Sequence, residues 1–326
     1  MAEMTMIEAI RTALARALED DDDVIVMGED VAIDGGVFRA TDGLVQRFGA
    51  ARVRDTPLSE TAIAGVAIGA AAHGLRPVAE IQFMGFLYPA IDQLANHAAR
   101  LRNRTRGRLG CPMVLRAPFG GGIKAPEHHS ESTEAMLAHI PGLRVVIPSA
   151  PAKAYGLLLA AIRDPDPVVF LEPKRLYRSV SEDVADDGAA LALDTAFVLR
   201  EGSDVTLVTW GAMVTETLQA ATSLAAEGLS AEVIDLGTLK PYDRAAIRAS
   251  VARTGRCVIV HEAPLTAGFG AEIAADLAEH RLTSLLAPIR RVAGYDTVMP
   301  YLRLEAHYMP STARILDAVR SVMEFA

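Results

Sequence analysis

Apolar residues along the chain switch repeatedly between two periods. Thr5-Met-Ile-Glu8 has the form of a capping box, and Ile7, Ile10, Leu14 and Leu18 follow at helical spacing, which predicts a helix running to about Glu19. Residues 24–27 are then unbroken apolar, the pattern of a buried strand. The alternation recurs: strands are predicted near 78–83, 113–117, 145–148 and 168–172, and helices over 87–104 and 152–163. Between Pro173 and Thr195 charged and small residues replace the pattern. A second set of strands follows at 204–210, 231–236, 257–261 and 289–293, with a closing helix near 311–323. The fold class is therefore α/β, with two parallel-sheet domains at 1–180 and 201–326 and a linker over 181–200.

Composition narrows the function classes. The chain has 326 residues, of which 51% are apolar, enough for large cores. Lys and Arg total 32 against 41 acids, a formal charge of −9, which argues against nucleic acid or an anionic membrane as partner. Cys111 and Cys257 lie far apart, and no CxxC is present. The longest nearly unbroken apolar run, 62–72, falls short of the roughly 20 residues that span a bilayer, and the first residues lack the pattern of a signal peptide. A soluble cytoplasmic protein is expected.

Several catalytic signatures are missing. The sequence has no GxSxG, GxxxxGK[ST] or HExxH, so a hydrolase elbow, a P-loop and a zincin lose their support. Gly268-Phe-Gly270 is only part of a dinucleotide fingerprint and does not open the first strand-helix unit of a domain. A GDG stretch followed by paired Asn, the pattern that holds Mg²⁺ and a diphosphate, is also missing.

Three stretches carry candidate chemistry. Asp55-Thr-Pro-Leu-Ser-Glu60 precedes a helix built almost wholly of small and apolar residues. In the plain reading Ser59 caps that helix and Glu60 is a first-turn acid; in the functional one Glu60 borders a dry surface that raises its pKa. Gly65 and Gly69, four apart, imply a helix buried between two bodies. Next, a strand ends in Gln82, Phe83 and Phe86, where an aromatic either stacks on a flat heterocycle or is plain core. Last, the loop from Gly120 to Ser132 carries three glycines, His128, His129, Glu127 and Glu131, a titratable cluster suited to proton traffic. Adjacent histidines point apart and no metal-spaced partner lies elsewhere, which argues against a transition-metal site.

Taken in order, DTPLSE, AIAGVAIGAAAHGLRPVAEIQF, YPAIDQLANHAARLR, HHSES, HIPGLRVVIPS, DPDPVVFLEPKRLYR, VIDLGTLKPYD, HEAPLTAGFGAEI and GYDT resemble the β subunit of the E1 component of 2-oxo acid dehydrogenase complexes. The resemblance covers nearly the whole chain. It implies a thiamine diphosphate pyrimidine-binding module followed by a domain similar to the transketolase C-terminal domain. It also implies an E1 α subunit partner in an α2β2 heterotetramer, with Mg²⁺ and diphosphate held by α, and an E2 lipoyl acyltransferase as acceptor. Carried over by position, Glu60 matches the glutamate on N1′ of the aminopyrimidine, Leu58 and Phe86 match cofactor contacts, and Gln82 matches an amide near the pyrimidine. His129 matches the histidine serving acyl transfer to lipoyl groups. Branched-chain members commonly have Tyr where Phe86 stands.

A structural K⁺ of the family carries over to Pro112, Val114, Leu115, Ala161, Asp164 and Asp166, though a turn around Asp164-Pro-Asp166 explains the same residues. The stretches EPKRLYR, HEAPLT and GYDT resemble branched-chain members, so oxidative decarboxylation of branched-chain 2-oxo acids is the expected reaction. The alternatives are a pyruvate dehydrogenase E1 β subunit and a noncatalytic interaction subunit of the same fold.

Overall fold

A computed structural model describes residues 1–325. The chain divides into two units, Met1–Phe119 with Met136–Leu193, and Gly120–Ala135 with Asp194–Ala326.

The first unit is built on six parallel strands in the order Arg144–Val146, Val168–Pro173, Val114–Phe119, Arg76–Glu80, Val24–Gly28, Val53–Asp55. Val114–Phe119 and Val168–Pro173 are buried at every position, as a sheet covered on both faces requires. The first helix, Met6–Asp20, starts at the capping box read from the sequence: the Thr5 backbone N–H donates to Glu8 at 2.8 Å. Its buried face, including Ile7, Ile10, Leu14 and Leu18, packs on the helix Pro151–Arg163.

Two expectations for this unit need correction. Residues 87–104 do not form one helix. Short turns at Met84–Phe86 and Tyr88–Ala90 lead into a π-helical turn at Gln93–His97 and then Leu101–Arg104. Pro89 cannot donate in a helical ladder, which explains the early break. Nor is 181–200 a free linker. Ser181–Val184 pairs antiparallel with Ala2–Thr5, the Gly188 N–H donates to the Tyr155 hydroxyl at 2.9 Å, and the Leu191 N–H reaches the Gly156 carbonyl at 3.0 Å. The stretch to Leu193 belongs to the first unit.

The second unit has a five-stranded sheet, Arg290–Gly294, Cys257–Pro264, Val205–Thr209, Ala231–Asp235, Phe197–Arg200. Four strands are parallel; Phe197–Arg200 runs antiparallel at one edge, so this sheet is mixed. The final helix, Thr312–Met323, is capped by the Ser311 hydroxyl and packs on Met213–Ala226. The segment Gly120–Ala135, early in sequence, is packed with this unit. Among the described residues no helix is long and apolar enough to cross a membrane.

Candidate functional site

In the first unit the candidate residues collect where three neighbouring strands end. Gly28, Asp55 and Glu80 are the last residues of adjacent parallel strands, and ligands of open parallel sheets bind beyond such ends. Backbone approach is tight here: a Cβ on Gly28 would come within 2.9 Å of the Glu80 carbonyl oxygen. Asp55 accepts from the backbone N–H groups of Ala32 and Ile33 at 2.6 and 3.3 Å, tying the DTPLSE segment to the loop after Val24–Gly28. Glu60 is the first residue of the helix Glu60–Ala72 and is half-buried. Burial pushes the Glu29 carboxyl up, and the charges of Asp30 and Glu60 add to that push. Glu29 and Asp30 are therefore acids of this corner that the sequence reading missed. Both follow directly on the strand Val24–Gly28, a position that could have singled them out.

Gln82 donates weakly to Asp30 at 3.4 Å, and Phe83 meets the rings of Phe38 and Phe86 edge-on at 5.4 and 5.6 Å. Leu58, Glu60, Gln82 and Phe86 thus all lie at this end of the first unit's sheet. The dry surface expected around Glu60 is not supplied by this chain. Leu58 is 74% and Val66 59% exposed, and Ala62 and Gly69 are exposed as well, a row at helical spacing. The opposite face of the same helix is buried through Ile63, Ala64, Ala67, Ile68 and Ala71. The helix is therefore apolar on both faces and covered by this chain on one.

The six positions considered for K⁺ lie in the same unit. Asp164 Oδ1 accepts from the Asp166 N–H at 2.8 Å, closing the turn, while Asp164 Oδ2 pairs with Arg144 at 2.9 Å. Asp166 pairs with Arg102 at 2.6 Å. The Ala161 carbonyl accepts from the Asp164 N–H at 3.3 Å, and Val114 and Leu115 are positions of the strand ladder beside the half-buried Pro112. Turn and ion pairs thus hold both acids in this chain.

His129 belongs to the second unit. It ends a single turn, Glu127–His129, inside the loop 120–132. His128 beside it is exposed, whereas His129 is half-buried. The loop closes on itself where the Gly120 N–H donates to the Glu131 carbonyl at 2.9 Å. One oxygen of Glu262 accepts both from the Gly121 N–H at 2.9 Å and from the Ser132 hydroxyl at 2.5 Å. Glu305 accepts from the N–H groups of Gly122 and Lys124 at 2.7 and 2.8 Å. The Glu127 carboxyl is held below its ordinary range, chiefly by a hydrogen bond from Tyr301. Gly120 has φ +83° and lies so close to Glu262 that a Cβ would fall on the carboxylate.

Behind the loop, burial pushes the Glu134 carboxyl up to about 7, with the Glu262 charge adding to the effect and a Trp210 N–H at 3.2 Å opposing it. Burial lowers the imidazole of His261, stacked on Trp210, to about 4. A cavity of about 440 Å³ opens beside the arm Ser130–Thr133, lined also by Thr266, Asp296, Met299 and Tyr308. Glu134, Glu262 and Glu305 were not found from sequence, since nothing in their spacing separates them from surface acids.

Residues 2–180 match the transketolase pyrimidine-binding domain family, and residues 194–315 match the transketolase C-terminal domain family. The chain is 49% identical over 325 residues to the "Pyruvate dehydrogenase E1 component subunit beta" of Bacillus subtilis, covering all of both chains. The proteins of the same name from Staphylococcus epidermidis and Staphylococcus aureus are 49% and 47% identical, again over the full length of each. The chain belongs to the family of 2-oxo acid dehydrogenase E1 β subunits. Its fold is that of a solved structure titled "Split gene transketolase, inactive beta4 tetramer", with a TM-score of 0.82 at 24% identity over 99% of each chain. Members of this E1 β family work in thiamine diphosphate-dependent complexes, which fits a first unit whose acids, amide and aromatic rings gather at adjacent strand ends.

Proposed function

We propose that the chain is the β subunit of a pyruvate-type E1 that works with an α subunit as α2β2 and passes an acyl group to lipoyl-E2. Full-length identity of 49% to proteins carrying the pyruvate name carries this reading. Of the three stretches behind the branched-chain expectation, EPKRLYR, HEAPLT and GYDT, the first two have a physical explanation of another kind. Glu172 and Tyr177 of the first stretch belong to a buried ion cluster, and Glu262 of the second grips the 120–132 loop, so structural work explains both. The exposed row Leu58, Ala62, Val66 and Gly69 supports the α partner. Covering it would give Glu60 the dry surroundings it lacks in this chain.

Bound thiamine diphosphate supplies a carbon nucleophile and an electron sink for breaking the bond between the 2-oxo carbon and the carboxylate. This chain's part is placement. Glu60 would hold and move a proton at N1′ of the pyrimidine ring, with Gln82 hydrogen-bonding and Leu58 and Phe86 packing against the ring. His129 would serve the acyl transfer. Mg²⁺ would be held by the α subunit, because this chain has no GDG motif.

Two measurements on the reconstituted α2β2 enzyme, with a dye as electron acceptor, test this. A pocket shaped for a methyl group is overpacked by an isopropyl group, so kcat/KM for pyruvate should exceed that for 3-methyl-2-oxobutanoate by at least about tenfold. A ratio favouring the branched acid would restore the branched-chain reading within the same family. Glu60→Gln keeps the shape but cannot shuttle the proton, so kcat should fall by roughly 10² to 10⁴. Retention of more than about half of the turnover would leave Glu60 as a first-turn acid and favour an interaction subunit.

A further inference from the structure

We propose that Glu262 and Glu305 are positioning residues that clasp the 120–132 loop and so hold His129 where acyl transfer needs it, an inference that rests on the role given to His129 above. The loop's own hydrogen bonds tie Gly120 to Glu131 and Ser130 to the 125–127 turn, and they leave its 121–124 stretch to be held from outside. It has no strand ladder, and Gly120, Gly122 and Lys124 all take left-handed backbone conformations, with φ of +83°, +87° and +58°. Its N–H groups at 121, 122 and 124 therefore need acceptors from outside the loop. The acceptors are two carboxylates that are 3% and 4% exposed and come from 141 to 183 residues further along the chain.

The two have different tasks. Glu262 joins the start of the loop at Gly121 to its end at Ser132, so it pins the neck. Glu305 takes the N–H groups of Gly122 and Lys124, one on each oxygen, and fixes the path toward the histidine pair. Tyr301, four residues before Glu305, fastens Glu127 just ahead of His128. Hydrogen bonds to an ionised acceptor are about twice as strong as neutral ones. Burying carboxylates here brings no stability that apolar residues would not match, whereas placing a loop-borne histidine needs this kind of support.

The test compares Glu305→Ala, Glu305→Gln and His129→Asn. Trypsin cleavage after Lys124 in the full-length chain reports loop opening, and the ratio of acyl transfer on a lipoyl domain to dye-coupled decarboxylation in α2β2 reports positioning. Glu305→Ala should speed that cleavage at least about tenfold, the weight of one charge-assisted hydrogen bond. It should lower the transfer ratio by about 10- to 100-fold, as expected of a displaced catalytic group. Glu305→Gln, which keeps one acceptor oxygen, should recover part of both. Unchanged cleavage in Glu305→Ala overturns the clasp. So does faster cleavage with a wild-type ratio when His129→Asn lowers that ratio. A wild-type ratio in His129→Asn itself shows instead that the role given to His129 has failed, and the positioning proposal falls with it.

Discussion

Each unit buries a group of carboxylates, and the two groups find their hydrogen-bond partners by different means. In the first, Arg116 lies between two of them: it donates twice to Glu172, at 2.8 Å each, and once to Glu80, and the Tyr177 hydroxyl donates to Glu172 at 2.5 Å. Glu80, Arg116 and Glu172 stand on three neighbouring strands, Arg76–Glu80, Val114–Phe119 and Val168–Pro173, and Tyr177 follows the last of them. In the second, Glu262 and Glu305 rest on backbone N–H groups and a serine hydroxyl. A guanidinium shared between strands ties regular elements that already have their ladders. Carboxylates aimed at main-chain N–H groups do for an irregular loop what a ladder does for a strand. Charge pairing thus marks the scaffold, and uncompensated carboxylates mark the part of the chain whose position must be imposed.

Removing the cation is the harshest way to break this comparison. Arg116→Met keeps apolar bulk but leaves Glu80 and Glu172 facing each other without a counter-charge. Burial already pushes the Glu80 carboxyl up, against the pull of Arg116. Loss of one partner of such a buried group costs about 3–5 kcal/mol. The unfolding transition of the first unit in urea should shift by that amount, and part of the loss should return in mildly acid solution as the stranded carboxylates take up protons. A transition within about 1 kcal/mol of the parent would show that the cluster contributes packing rather than charge pairing.

What the sequence disclosed follows the range of the interactions. The Thr5/Glu8 capping box and the strands near 24–27 and 168–172 are set by neighbours in sequence, and they stand where periodicity placed them. The strand Ser181–Val184 exists because Ala2–Thr5 lies beside it, and no local pattern announces a partner at the opposite end of the chain. Gly65 and Gly69 imply a helix set between two bodies, and within this chain nothing lies within 4 Å of where a Cβ on Gly69 would be. That glycine faces outward with the exposed row on its helix. At the candidate site, Gln82 and Phe86 could be singled out because an amide and an aromatic ring follow closely on the strand, which ends at Glu80. Glu262 and Glu305 were not, because their partners are main-chain groups that leave no trace in side-chain spacing.

A gentler change sharpens the comparison by titration. The Glu134 carboxyl, raised to about 7 from an ordinary 4.5, holds a proton in the folded chain that the unfolded chain has released. Stability of the second unit therefore falls as pH rises from 4.5 to about 7, and the full penalty, about 3 kcal/mol, stands above that range. His261 acts with the opposite sign. Lowered from 6.5 to about 4, it stays neutral while the unfolded chain takes up a proton, so stability falls as pH drops through that window. From 4.5 to 6.5 the two effects offset each other. Glu134→Gln keeps an acceptor for the Trp210 N–H at 3.2 Å and removes one side of this balance. The variant should match the parent near pH 5 and exceed it at pH 8 by up to about 3 kcal/mol. Its own stability should rise from pH 4 to 6.5 and then level off, with His261 alone setting the slope. Thermal unfolding across this pH range checks both features. A variant less stable than its parent at pH 8 would show that Glu134 is held ionised by its surroundings, which would place it with the charge-paired carboxylates of the first unit.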